Sequence, residues 1–361
     1  MRILTSLVFR RIVCWGFWLV LTPSLAAALP ATGLVRSEYV SVAGQTAFNY
    51  SPTIVQTTEG VLVAWVGASQ IGSPDASIYL SRNLGGLWTS AEKIASRTDP
   101  KSLIQFACQR PVLFKPANGP LVLFYQTEST RRQVKGFMST SGNNGKTWIR
   151  SKELPKSVPG PARVKPIELS DGVLLCGGDS HEAGWQVHVS RASAFRAGWG
   201  WSRTRDLTSA IMHNAREPVL LNHGGGNIQA LCRTKRGYIV EGWSSDSGES
   251  WERFERTAMP NPDGGLDVVK VGPQSFLMVY QHSNREKGVL NLATTEDGRR
   301  WSATAVLENQ PGKHFSDPAI VKGADGNVHV VYSEDHQRIK YVVLDPSRFA
   351  PIAMVGGNWP Y

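Results

Sequence analysis

Ser244-Ser245-Asp246-Ser247-Gly248-Glu249-Ser250-Trp251 follows the pattern S-x-D-x-G-x-x-W. Strand-forming residues lead in (Tyr238-Ile239-Val240-Glu241-Gly242-Trp243) and follow (Glu252-Arg253-Phe254-Glu255-Arg256), so the Ser/Asp/Gly cluster reads as a hairpin turn. In such a turn the Asp246 carboxylate accepts N–H groups, Gly248 takes a positive φ and Trp251 covers the hairpin. The motif stabilises a fold and carries no chemistry; its information lies in its recurrence. Thr294-Thr295-Glu296-Asp297-Gly298-Arg299-Arg300-Trp301 is close, with Glu296 at the acidic position. Ser141-Gly142-Asn143-Asn144-Gly145-Lys146-Thr147-Trp148 puts Asn in place of Asp, Ser81-Arg82-Asn83-Leu84-Gly85-Gly86-Leu87-Trp88 is weaker, and the stretch from Ser190 to Trp199 keeps little beyond a Ser and a Trp. Copies at roughly regular intervals are a repeat, which takes precedence over other fold signals.

A second repeat runs in phase with the first. Short apolar strands open at Pro52-Thr53-Ile54-Val55, Pro111-Val112-Leu113-Phe114, Pro166-Ile167-Glu168-Leu169, Pro218-Val219-Leu220-Leu221, Asp267-Val268-Val269-Lys270 and Pro318-Ala319-Ile320-Val321. A turn follows each, often Asn-Gly or Asp-Gly (Asn118-Gly119, Asp171-Gly172, Asp325-Gly326), and then a second apolar strand such as Val61-Leu62-Val63-Ala64-Trp65 or Phe276-Leu277-Met278-Val279-Tyr280. A third strand, the Ser/Asp turn and a more polar fourth strand complete a unit of about fifty residues. The expected fold is therefore all-β, a six-bladed β-propeller of four-stranded antiparallel blades. The sixth unit has a third strand, Arg338 to Leu344, but no good fourth one, while Leu34 to Val42 precedes unit one without a partner. This N-terminal strand is expected to close the ring, removing an exposed edge. A two-sheet sandwich is the rival fold, but it requires no such repeat.

The chain has 361 residues, with 35 Gly and 21 Pro, which suits many short strands. Residues 1–28 form a separate object. Arg2, Arg10 and Arg11 precede the apolar run Ile12 to Leu21, and Leu25-Ala26-Ala27-Ala28 ends in small residues. This reads as a secretory signal peptide cut after Ala28, the alternative being an uncleaved anchor. A periplasmic or secreted propeller over residues 29–361 follows, touching a membrane only if the leader is retained. Of the four cysteines, Cys14 lies in the leader. Cys108, Cys176 and Cys232 are an odd, scattered set that suits small buried hydrophobes rather than a disulfide framework or a metal site, although a Cys176–Cys232 bridge is conceivable. No metal or cofactor motif is visible. The net charge of +10 stays positive without the leader, which suits an anionic ligand, but no run of clustered Lys and Arg points to nucleic acid.

In a propeller, polar groups before the first strand of a blade and after the second converge on one mouth. Here these include Tyr50, Gln109, Arg110, Arg163, His213, Arg216, Glu217, Asp263, His314 and Asp317, then Asp179, His181, Arg233, His282, Arg285, Glu334 and His336.

These features resemble the bacterial exo-α-sialidase superfamily, in its BNR-repeat branch, over residues 33–345. The resemblance implies three arginines that clamp a substrate carboxylate, a task suited to a planar, permanently charged, bidentate guanidinium. It further implies an Asp acid/base and a Tyr nucleophile activated by a Glu. Asp75, in the loop Gly67 to Asp75, matches the acid/base; Glu217, in Arg216-Glu217-Pro218-Val219, matches the activating glutamate. Arg233 and Arg285 match the second and third clamp residues, and Glu334, in Tyr332-Ser333-Glu334, matches a glutamate that orients the first. Arg110 and Arg216 are further candidates for substrate contact. The sequence departs from the pattern twice. Asn49-Tyr50-Ser51-Pro52 stands where the family has its first arginine. Phe315, in His314-Phe315-Ser316-Asp317-Pro318, stands where it has its tyrosine, leaving Tyr50, Tyr332 or His314 as substitutes. The expectation is that Asp75, Glu217, Arg233 and Arg285 face one another across a single opening.

The resemblance implies a monomeric exo-glycosidase hydrolysing terminal acidic sugars of a glycan, sialic acid or a keto-deoxy sugar acid such as Kdo. Two alternatives stay open. One is a polysaccharide lyase acting on uronates through His181, His213, His282 and Tyr332. The other is a glycan-binding propeller without catalysis.

Overall fold

The computed structural model describes residues 33–360, apart from 41–45, 100–101, 129–133, 182–183 and 194–199; the expected leader, residues 1–28, lies outside the described residues. Six antiparallel sheets follow one another along the chain as blades one to six. Their innermost strands are Phe48–Thr57, Cys108–Phe114, Ile167–Glu168, Ala215–Gly224, Asp267–Lys270 and Phe315–Lys322. The second strands run Gly60–Ala68, Leu121–Glu128, Leu174–Ser180, Asn227–Thr234, Phe276–Tyr280 and Val328–Glu334. Only two short 3-10 turns, Pro346–Arg348 and Val355–Gly357, interrupt the strands among the described residues.

The N-terminal strand closes the ring as expected. Leu34–Tyr39 pairs antiparallel with Arg338–Leu344 as the outer strand of blade six, with Ser37 opposite Val342. Trp88 of blade one donates its indole N–H to Glu38 at 2.6 Å, tying the closing strand to the next blade.

The second strands read as unbroken apolar runs because each blade is buried on both faces, one against each neighbour. Leu62, Ile78 and Leu80 pack on Leu113, Leu123 and Tyr125 of blade two, while Val61, Val63 and Trp65 face Val331, Ile339 and Tyr341 of blade six. The three described cysteines are free and buried within this packing, so Cys176 and Cys232 form no bridge.

The recurring turns fasten each blade to the one before it. Ser244 and Asp246 organise the blade-four turn: Gly248 N–H donates to Ser244 Oγ at 2.8 Å and Ser250 N–H to Asp246 Oδ1 at 2.9 Å. The hydroxyl and N–H of Ser250 pull the Asp246 carboxyl down to about 2. Gly248 has φ +81°, and a Cβ there would lie 2.9 Å from Leu175 of blade three. Gly145 repeats the arrangement, with φ +79° and Leu62 of blade one 2.6 Å from its would-be Cβ. Arginines of the preceding blade donate to both turns, Arg82 to Gly145 O at 2.6 Å and Arg191 to Ser247 O at 2.7 Å. In blade five the accepting carboxylate is Asp297, which takes the N–H groups of Arg299 and Arg300 at 2.8 and 2.7 Å, whereas Glu296 is the residue the motif alignment puts there. Thr295 rather than Thr294 bonds Gly298 N–H, so the turn is one residue tighter than its sequence alignment implies.

Candidate active site

Four innermost strands begin with a residue of positive φ directly before proline: Ser51 at +49°, Arg110 at +54°, Glu217 at +54° and Asp317 at +51°. Arg163 (+69°) and Asp263 (+61°) take the same conformation in the approaches to blades three and five. A non-glycine residue held there costs on the order of 1–3 kcal/mol. The pairing register slips at the same places, between Tyr50 and Thr53, Arg216 and Val219, and Ser316 and Ala319, which marks β-bulges. Each bulge takes one side chain out of the strand's alternation. Their mutual contacts show that these side chains meet at the centre.

Glu217 is the hub. Its carboxylate accepts from Arg163 Nε at 2.7 Å, Arg233 Nη2 at 2.5 Å and Arg110 Nη2 at 3.2 Å. Arg110 forms a fork with Asp179, both bonds at 2.7 Å, and Asp179 also accepts the Glu217 N–H at 3.0 Å. Arg216 forks to Asp263 at 3.1 and 2.6 Å. Arg163 crosses the channel, donating to Pro318 O at 3.1 Å and Leu266 O at 3.0 Å, with Asp317 3.9 Å away. Ser51 Oγ completes the ring by donating to Asp317 at 3.2 Å. Arg110, Arg163, Arg216 and Arg233 are thus matched by Asp179, Glu217, Asp263 and Asp317, and the centre is close to neutral. Burial pushes the Glu217 carboxyl up, but Arg163, Arg233, Arg110 and Arg216 outweigh it and hold it well below the ordinary glutamate value. It is a fixed anion and cannot donate a proton.

The guanidinium groups differ in access. The Arg163 side chain is 1% exposed, whereas those of Arg110 and Arg216 are 17% and 19% exposed. The latter two border a cavity of about 450 Å³ lined also by Gln109, Gln126, Glu128, His181, Trp185 and Glu217. Trp185 lies over both, its ring 5.7 Å from the Arg110 guanidinium carbon and 5.0 Å from that of Arg216. An aromatic face beside two guanidinium edges, whose forks Asp179 and Asp263 already engage, is suited to stacking a sugar ring with polar substituents.

Glu217 and Arg233 come together as the sequence reading expects; Asp75 and Arg285 do not join them. Asp75 lines a different cavity, of about 420 Å³, next to blade one. Its carboxylate accepts from the Ser69 N–H at 3.1 Å and from the Ser73 hydroxyl, and the Ser73 bond holds the carboxyl below its ordinary value. Arg285 is exposed on a turn whose N–H groups are capped by the Ser283 hydroxyl at 3.1 and 2.8 Å, and its guanidinium has no ion pair among the described residues.

The substitutes for the nucleophile divide in the same way. Tyr332 is wholly buried, and its hydroxyl donates to Glu308 of blade five at 2.6 Å, away from the mouth. Tyr50 is 8% exposed: its hydroxyl accepts the Gly72 N–H at 3.3 Å and its ring meets His336 edge-on at 6.3 Å. His336 in turn lies 4.5 Å from the ring of His314, whose desolvation favours the neutral imidazole. Burial raises the Tyr50 phenol above its usual value. Glu334 accepts from Tyr39 at 2.7 Å and pairs with Arg338 at 2.9 Å and Lys313 at 3.4 Å, so it orients no arginine of the central cluster. Phe315 is buried in the packing between blades five and six. Of the lyase candidates, His181 lines the Trp185 cavity, whereas His282 packs on Trp359. Asp179, Asp263, Asp317, Arg163 and Trp185 are the residues the sequence reading left without roles. The X-Pro steps were the one available signal for the first-strand group. No described group of three or more His, Cys, Asp and Glu side chains is arranged to hold a metal ion.

Six antiparallel blades of four or five strands around this charged mouth define a six-bladed β-propeller. The BNR repeat-like domain family matches residues 59–330, most of the chain. The chain belongs to that family. The fold is similar to that of a Dyadobacter fermentans protein of unknown function, with a TM-score of 0.71, 15% identity, and coverage of 88% of this chain and 100% of the other. It is similar to the Hadza microbial sialidase Hz136, with a TM-score of 0.72, 14% identity and coverage of 87% and 69%. The Streptococcus pneumoniae NanB sialidase, as its K499G mutant, gives a TM-score of 0.67 at 12% identity over 89% and 71%. No curated protein matches the sequence.

Proposed function

We propose that this chain is an exported, sialidase-like exo-glycosidase acting on terminal acidic sugars of a glycan, sialic acid or a related keto-deoxy sugar acid. The observation that carries the reading is the Trp185 cavity, where the exposed edges of Arg110 and Arg216 meet the Glu217 hub. Arg110 and Arg216 would hold the sugar carboxylate, with Trp185 under the ring. Asp179 and Glu217 keep the Arg110 guanidinium oriented and Asp263 that of Arg216, while Glu217 fixes Arg163 and Arg233 behind them. Tyr50, flanked by His336, is the candidate nucleophile on this reading. Release of sugar from a sialoside or a Kdo-glycoside by the purified protein, lost in Arg216→Ala and Tyr50→Phe, tests the assignment. Failure to release either sugar, with turnover of neutral glycosides instead, overturns it.

One observation favours a second reading, acidic-glycan binding without turnover. Phe315 occupies the family's tyrosine position and is packed away from the mouth. Binding of an acidic sugar with no product after prolonged incubation selects this reading.

A further inference from the structure

The cavity of about 420 Å³ beside blade one has chemistry that the proposed reaction leaves unused. Lys93, Arg97, Tyr79, Gln105, Phe106 and the loop carrying Asp75 contribute to its walls. Lys93 Nζ lies 5.6 Å over the Tyr79 ring, and the Arg97 guanidinium lies 4.0 Å over the Phe137 ring. Neither cation has an ion pair among the described residues. An aromatic face stabilises a cation without cancelling its charge. This is the reverse of the central cluster, where each arginine has a carboxylate. The carboxylate that Asp75 brings to this cavity is engaged by Ser69 and Ser73.

The two cavities are also neighbours along the chain. Gln105 and Phe106 line one, Gln109 and Arg110 the other, on a single run of chain. Phe106 and Gln109 are three residues apart, about 10 Å of extended backbone at roughly 3.3 Å per residue. A disaccharide unit spans a comparable length.

We infer that the Lys93–Arg97 cavity is a second subsite, which recognises a carboxylated sugar adjoining the one held against Trp185. The inference rests on the acidic-glycan reading of the Trp185 cavity and adds to it a preference for consecutive acidic residues. Lys93 supplies a mobile point charge and Arg97 a planar fork. Tyr79 and Phe106 offer apolar faces to the ring, and the Gln105 side chain offers an amide for its hydroxyl groups.

The test is calorimetric titration of the full chain with sialic acid, with its sulfur-linked dimer, which resists hydrolysis, and with mono- and digalacturonate. The wild type is expected to bind an acidic dimer at least tenfold more tightly than the monomer. Lys93→Gln/Arg97→Gln removes that advantage and leaves monomer affinity unchanged, while Arg216→Ala weakens monomer and dimer alike. Because Arg97 also packs on Phe137, Lys93→Gln alone, at an exposed side chain, is expected to lose part of the advantage with an unaltered thermal transition. Monomer binding with no dimer advantage, or an advantage that survives the double substitution, overturns the second subsite and leaves the Trp185 reading standing. Binding of neither monomer nor dimer overturns both.

Discussion

Replacing Glu217 by Gln removes the anion on which Arg163, Arg233 and Arg110 converge. The side chain is 4% exposed, so water cannot replace the lost charge. Breaking a buried ion pair by removing one partner costs about 3–5 kcal/mol, because a charge is left without compensation. Unfolding entropy near 2.1 cal/mol/K per residue, over roughly 330 residues, is about 0.7 kcal/mol/K, so Tm should fall by about 4–7 °C. The effect has a pH signature. The folded-state carboxyl lies well below the ordinary value, so its contribution is complete above the unfolded value near ~4.3 and is lost as pH falls through the folded value. Differential scanning calorimetry should show the full gap between wild type and Glu217→Gln at pH 6–7, and a narrowing gap below about pH 4. A Tm change under 1 °C at pH 7, or a gap that stays constant to pH 3, would falsify the hub.

Other substitutions probe the frame around the site. Gly248→Ala forces a Cβ to 2.9 Å from Leu175 at φ +81°, and should destabilise by about 1–3 kcal/mol by denaturant titration; an unchanged midpoint would refute the stapling of blade four to blade three. Phe315→Tyr should not raise sialoside turnover above the wild type and should cost about 1–3 kcal/mol, since its hydroxyl would be buried beside Tyr332; a gain of turnover would contradict the placement of this side chain. Deleting residues 1–40 strips the outer strand from Arg338–Leu344, and light scattering should then show concentration-dependent association through the bared edge; a monomer of wild-type stability would contradict ring closure.

The fold was legible because its signals are local and repeated. The Ser/Asp turns, the Asn-Gly and Asp-Gly hairpins and the unpartnered strand at Leu34 each need only a few neighbouring residues to interpret. The one slip, Glu296 for Asp297, comes from a turn that is shorter by one residue than its sequence copy. The site was less legible because its bonds are long in sequence. Arg110 reaches Glu217 across 107 positions and Arg163 reaches it across 54. The geometry further depends on pre-proline residues at positive φ, although steric rules push the residue before proline toward extended backbone. Tyr332 and Glu334 are two apart on one strand and share a face, bonded toward blade five and the outer strands, an orientation the residue types alone do not show. Arg285 lies on an exposed turn and makes no bond to Glu217 among the described residues.

The most direct measurement is structure determination of the protein soaked with a terminal acidic sugar. The account predicts the sugar carboxylate against Arg110 and Arg216, with the ring on Trp185. A carboxylate bound elsewhere, with this cavity left to water, would contradict it.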